Sequence, residues 1–198
     1  MEYRRGFKAE ANAYAREMRQ ELGLSPIDPL CPWTLAPNLG FEIIKLIDYS
    51  EHIPDEVVYL RSVAGRKQFS AVTITRDGVA IIIHNDTHDP KRQAANIAHE
   101  LAHGILIHKP QPVFDAFGSR HFDPEQEKEA TWLGPALLVS EEAALHIVEQ
   151  GLSIGEASDR YGASEDVVRM RLNVTAAYRR ARRVVRIPPL ASRTVARP

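Results

Sequence analysis

His99-Glu100-Leu101-Ala102-His103 is an HExxH sequence inside the run KRQAANIAHELAHGILIH. It constrains the fold more than any other feature of the chain, because it has chemical meaning only on a helix. Histidines four residues apart differ by about 40° around a helix axis, so both imidazoles leave one face a turn apart. From that face two neutral imidazole nitrogens can bind one Zn²⁺, and the glutamate beside the first histidine can reach water at the metal's open position. Ala94, Ala98, Leu101, Ala102 and Ile105 make an apolar stripe at helical spacing, which puts the motif on a buried helix. Polar side chains there are costly without partners, and a metal would supply them. A chance occurrence is the competing explanation for so short a motif, but it would fall more often in loops or on polar helices. The motif predicts a zinc-dependent hydrolase, with a peptidase the favoured kind.

With 44% hydrophobic residues in 198, the chain can bury a real core. Cys31 is the only cysteine, which excludes an intramolecular disulfide and argues against a thiolate zinc site. The opening MEYRRGFKAEANAYAREM has no continuous apolar stretch and does not read as a secretory signal. No apolar run reaches the length of a membrane span, so a cytoplasmic protein with no membrane partner is expected. The net charge of −1 hides an asymmetry. Residues 1–168 carry a net −10, whereas residues 169–198 hold 9 arginines and no acidic residue. Such an end can attract nucleic acid, an acidic partner or the protein's own acidic body, and it can equally be a solvated tail.

Residues Phe7 to Leu22 read as an amphipathic helix, and a short helix is expected around Trp33 to Asn38. Phe41 to Ile47, Glu56 to Arg61, Gln68 to Thr75 and Val79 to His84 read as strands, the last two joined by an Asp77-Gly78 hairpin. After a loop at 109–122, Asp123-Pro124-Glu125-Gln126 supplies an N-cap, a proline at the first helical position and a capping-box partner. Further helices are expected over Glu141 to Gln150, Ile154 to Tyr161 and Glu165 to Arg183. The fold class is therefore α+β, with a three- or four-stranded sheet packed on the HExxH helix and a second ligand-bearing helix. The divisions are 1–140 for that domain, 141–185 for a helical, helix-turn-helix-like region and 186–198 for an irregular basic tail.

A catalytic zinc needs a third protein ligand. The continuation HExxHxxGxxH is excluded, because Leu106 and Lys109 occupy the glycine and histidine positions. His108 lies about 140° from His103 around the axis and cannot join the pair while the helix stays regular. A carboxylate from the next helix remains, and Glu125, Glu127 and Glu129 are all candidates that periodicity does not separate. Each is also readable as part of a solvated acidic first turn suited to the helix dipole.

The stretch from Asp77-Gly78 through IIIHNDTHDPKRQAANIAHELAHGILIH resembles the ImmA/IrrE family of metallo-endopeptidases, and EKEATWLGPALLVS is similar to that family's ExEANxFAxxLLxP. The N-terminal helix and LAPNLGFEIIKL look like the family's opening, so the likeness covers roughly residues 5–175. The resemblance implies Glu127 as third zinc ligand, with Glu129-Ala130 as the EA pair. Three positions depart from the pattern. Thr131 stands where Asn or Asp is usual and could orient Glu127 by a hydrogen bond. Gly134-Pro135 replaces small helix formers, and the proline is expected to kink the helix. Ser140 replaces a closing proline.

On this reading His99, His103 and Glu127 hold a zinc that brings bound water to a pKa near 7, and Glu100 carries the proton from that water to the leaving amine. His84 and His121 are candidate oxyanion donors, each equally readable as an ordinary histidine, and neither is assigned. The resemblance implies a helix-turn-helix repressor as substrate. LSIGEASDRYGASEDVVRMRLNVTAAYRRARR itself looks like a helix-turn-helix, but Ser164, Glu165 and Asp166 make a poor first turn to present to phosphate. Docking or packing is favoured over DNA contact. The rival reading is a DNA- or protein-binding regulator whose zinc fold is a sensor or scaffold.

Overall fold

Asp77 and Gly78 both take positive φ, 53° and 81°, the mirror-image turn whose twist suits a two-residue hairpin. They join β2 (Ala71–Arg76) to β3 (Val79–His84), antiparallel with Thr73 opposite Ile82. On the other side of β3, β1 (Phe41–Lys45) runs parallel with Ile43 opposite Ile82. The sheet is thus three-stranded in the order β1-β3-β2, which leaves β2 as an edge. These elements belong to a computed structural model that describes residues 3–108 and 123–184. The expected loop at 109–122, His121 within it and the basic tail at 186–198 lie outside the described residues.

Helices α1 (Phe7–Glu21) and α2 (Pro32–Asn38) precede the sheet, and α3 (Pro54–Arg61) lies between β1 and β2. After β3 come α4 (Pro90–Ile105), α5 (Pro124–Leu138), α6 (Glu141–Glu149), α7 (Ile154–Tyr161), α8 (Glu165–Val174) and α9 (Ala177–Val184). The α+β class holds, with the sheet at its smaller expected size. No described helix is long and apolar enough to cross a membrane.

Two expected elements differ. Glu56 to Arg61 is helix α3, not a strand. Pro54 sits in its first turn, Asp55 and Glu56 face the positive end of its dipole and Arg61 its negative end. Those end signals outweigh the β-propensity of Val57-Val58-Tyr59, of which Val57 is buried and the other two are exposed. The helix expected over Glu165 to Arg183 is broken into α8 and α9. The Thr175 hydroxyl donates to the Arg171 carbonyl at 2.8 Å, and Ala176 then takes φ 53°, a conformation that ends a helix.

The core lies on both sides of the α4–α5 pair. One buried cluster joins Phe7 and Ala11 of α1, Leu35 of α2, Ile82 of β3, Ile97 and Leu101 of α4, and Leu133 and Leu137 of α5. The other joins Ala94 and Ala98 of α4 to Leu138, Ile147, Tyr161, Val168 and Leu172. The loop feeding α4 is fixed by buried Asn85, whose Nδ2 donates to the Leu60 carbonyl and whose Oδ1 accepts from the Thr87 amide and hydroxyl. Asp89 then caps α4 by accepting from the Lys91 amide, with Pro90 in the first turn.

Candidate metal centre

α4 carries His99, Glu100 and His103 because its apolar stripe (Ala94, Ile97, Ala98, Leu101, Ala102) is buried and turns the opposite, polar edge outward. His99 Nε2 and His103 Nε2 are 3.2 Å apart. α5 begins at Asp123, whose carboxylate accepts from the amides of Glu125 and Gln126, and its first turns bring Glu127 opposite the two imidazoles. Glu127 Oε2 is 3.3 Å from His99 Nε2, and Oε1 is 3.3 Å from His103 Nε2. Two nitrogens about 2.0–2.1 Å from a tetrahedral zinc lie about 3.3 Å apart, close to the spacing of His99 and His103, and Glu127 faces each ring with a different oxygen, so the three groups suit one metal ion in proximity and in donor type. They form one cluster with all ligand atoms within 4.8 Å. The two imidazoles hold the Glu127 carboxyl well below the usual carboxylate range, so it is ionised throughout neutral pH.

The helices reach this spacing through Gly134. A Cβ at that position would lie 3.1 Å from both the Cα and the N of His99, so glycine lets α5 approach the backbone of α4 beside the site. Gly134 therefore has a positive role in the geometry. Pro135 sits inside α5 without ending it, since the helix continues to Leu138. Thr131 is exposed, and among the described residues its hydroxyl makes no hydrogen bond to Glu127. Ser140 caps α6 by accepting from the Ala143 amide and donates to the Pro26 carbonyl at 2.7 Å, which ties the chain after α5 to the segment after α1.

Glu100 projects toward the sheet, where Thr73 on edge strand β2 donates its hydroxyl to Glu100 Oε2 at 2.6 Å. Thr73 is opposite Ile82, so the sheet face that touches the glutamate is the one buried against α4. Of the other second-helix candidates, Glu125 is exposed and near Lys128, and Glu129 meets Arg4 at 2.7 Å and His108 at 3.3 Å.

His108 is closer to the site than helical geometry suggests. α4 ends at Ile105 and Ile107 takes φ 52°, which swings His108 back until its Nδ1 lies 2.9 Å from His103 Nδ1. It meets the nitrogen of His103 that faces away from Glu127. Burial draws its imidazole below the ordinary histidine range. Four residues were therefore missed as contributors: Thr73, His108, Gly134 and Arg4. Only Pro110, two residues beyond His108, hinted in the sequence that α4 stops early.

His84 does not serve as an open donor. It is 1% exposed at the end of β3, edge-on to the Trp33 ring with centroids 6.2 Å apart, and neither ring nitrogen has a partner among the described residues. Burial lowers its pKa, Asp86 and Asp48 oppose that shift and Lys45 adds to it. The unfolded imidazole titrates near 6.5. Its contribution to stability is therefore complete above that pH and is lost as pH falls through the lower folded value. Denaturant unfolding of metal-free protein should show a shallower loss between pH 7.5 and 5.5 in His84→Leu, with no loss of stability at pH 7.5. An unchanged slope would remove His84 as its source.

A family model described as the IrrE N-terminal-like domain, Peptidase_M78, matches residues 56–173, a span that contains His99, Glu100, His103 and Glu127. Comparison with curated proteins returned no match, and neither did comparison with solved structures.

Proposed function

The chain belongs to the IrrE N-terminal-like peptidase family, and on that premise we propose that it is a zinc-dependent endopeptidase that cleaves a helix-turn-helix transcriptional repressor. The observation that carries this reading is the convergence of His99 Nε2, His103 Nε2 and the Glu127 carboxylate, 3.2–3.3 Å from one another, with Glu100 on the same turn of α4. Two imidazoles and one carboxylate are a donor set suited to zinc. Zinc bound there would supply Lewis acidity sufficient to activate water near neutral pH.

The chain's own residues do the rest. His99, His103 and Glu127 fix the position of the ion. Glu100 takes a proton from water and returns it to the leaving amine. Thr73 holds Glu100 Oε2, which leaves Oε1 for the proton. β2, whose outer edge pairs with no other strand among the described residues, carries the Thr73 that touches this carboxylate and offers backbone groups to an extended peptide, which favours a peptide substrate over a small molecule. Glu165 and Asp166 open α8 and both engage Arg169, which argues against that helix presenting itself to DNA. The repressor as substrate rests on the resemblance to ImmA/IrrE peptidases.

The test is co-expression of the full chain with candidate repressors from its own genome. A discrete repressor fragment should appear with the wild-type chain and disappear when zinc is withheld. Intact repressor at full zinc loading, together with salt-sensitive binding of the chain to duplex DNA, would favour the regulator reading instead.

A further inference from the structure

A relay of four side chains leads from His103 to the N-terminal segment. His103 Nδ1 is 2.9 Å from His108 Nδ1. His108 Nε2 is 3.3 Å from Glu129 Oε2. Glu129 Oε1 accepts from Arg4 Nε at 2.7 Å, and the same guanidinium reaches Glu10 of α1 at 2.6 Å. We propose that His108 is a positioning residue for zinc binding, holding the ring of His103 in orientation with Glu129 and Arg4 behind it. This rests on the reading that His103 Nε2 faces zinc.

Proton accounting gives the direction of the relay. An imidazole that turns Nε2 to a metal carries its proton on Nδ1. Two Nδ1 atoms at hydrogen-bond distance need one donor and one acceptor, so His103 donates and His108 accepts. The proton of His108 then sits on Nε2, facing a carboxylate. Glu129 can accept there because its other oxygen is occupied by Arg4. The side chains of His108 and Glu129 are only 8% and 16% exposed, so water competes weakly for these bonds. The arrangement also depends on an unusual piece of backbone. Ile107 at φ 52° is 87% exposed, a cost in conformation and solvation that is matched by bringing His108 under His103. The relay links the end of α4, the second turn of α5 and the residues before α1, so the metal centre is held by three parts of the chain distant in sequence.

The experiment measures zinc affinity of the full chain by competition with a chromophoric chelator, alongside circular dichroism of the metal-free proteins. Wild type should bind one equivalent and His99→Ala should lose it. His108→Phe keeps the volume of the ring but cannot accept a hydrogen bond, and should weaken zinc binding about 10- to 100-fold. His108→Asn is smaller, yet its side-chain oxygen can replace Nδ1 as acceptor, and it should retain much of the affinity. A packing role predicts the reverse order, with Phe tolerated and Asn impaired, and that order would overturn the proposal. Glu129→Gln should weaken binding in the same direction by a smaller factor, and it carries the test if His108→Phe fails to fold. Full affinity in His108→Phe and Glu129→Gln, with loss in His99→Ala, would reject the relay and leave the zinc reading standing. A wild-type chain that binds no zinc would reject both.

Discussion

Exchanging Glu100 for glutamine should lower peptide cleavage by about 10²- to 10⁴-fold, the usual contribution of a positioned proton carrier. At 1.36 kcal/mol per tenfold, that corresponds to about 3–5 kcal/mol of lost transition-state stabilisation. The substitution changes little else. The Thr73 hydroxyl that donates to Glu100 Oε2 can donate equally to the carboxamide oxygen. His99, His103 and Glu127 approach one another without help from Glu100, so the metal content should match wild type. Fragment formation followed by mass spectrometry, beside metal analysis of the same preparation, separates the two properties. Cleavage at the wild-type rate in a zinc-loaded Glu100→Gln protein would remove Glu100 from proton transfer.

How far the sequence exposed this site depends on the range of each interaction. His99 and His103 are four residues apart on one helix, so helical geometry puts both rings on one face, where their Nε2 atoms lie 3.2 Å apart. Glu127 is on another helix, and local pattern could not rank it above Glu125 or Glu129; the resemblance did, and the structure brings Glu127 to both imidazoles. A regular helix would carry His108 away from His103, but the left-handed Ile107 interrupts it. Thr73 could not be found from spacing, because its contact with Glu100 depends on the register of β2 against β3 and on how the sheet lies against α4. Gly134 illustrates the same limit. Its lack of a side chain is a liability within α5 considered alone, but it permits the approach to His99 once α4 is beside it.

The fold shows a similar division. The Asp77-Gly78 turn, the cap at Asp123 and the stripe of α4 are local devices, and each appears where local chemistry put it. In α3 the sequence carries opposing local signals: Val57, Val58 and Tyr59 favour a strand, and Pro54, Asp55 and Glu56, which open a helix, prevail. The break between α8 and α9 turns on one threonine hydroxyl choosing a backbone carbonyl, a competition that periodicity does not record.

Arg19→Ala should destabilise the protein by about 3 kcal/mol or more, and no sequence pattern announces it. Arg19 lies on α1 and is 0% exposed. Its guanidinium donates to the carbonyls of Ala15, Asp28, Leu137 and Leu138 at 2.9–3.2 Å. The last two carbonyls belong to the final turn of α5, where no continuing helix can satisfy them because Ser140 already caps α6. Burial lowers its pKa to about 10, which leaves the group charged at neutral pH. Hydrogen bonds to a charged group contribute about 1.5–3 kcal/mol each, and the alanine would strand the carbonyls of Asp28, Leu137 and Leu138, that of Ala15 keeping its bond within α1, while opening a cavity between α1 and α5. For a chain of this size, about 3 kcal/mol corresponds to a fall in Tm of roughly 6–12 °C. Arg19→Met separates the two contributions: it refills the space and leaves the carbonyls unpaired, so it should recover only a minor part of the loss. Because α5 also carries Glu127, the zinc affinity of the folded alanine variant should fall as the helix end loosens. Urea unfolding of the metal-free proteins gives the first quantity and chelator competition the second. A stability change below about 1 kcal/mol for Arg19→Ala would show that α5 is held by its apolar face alone.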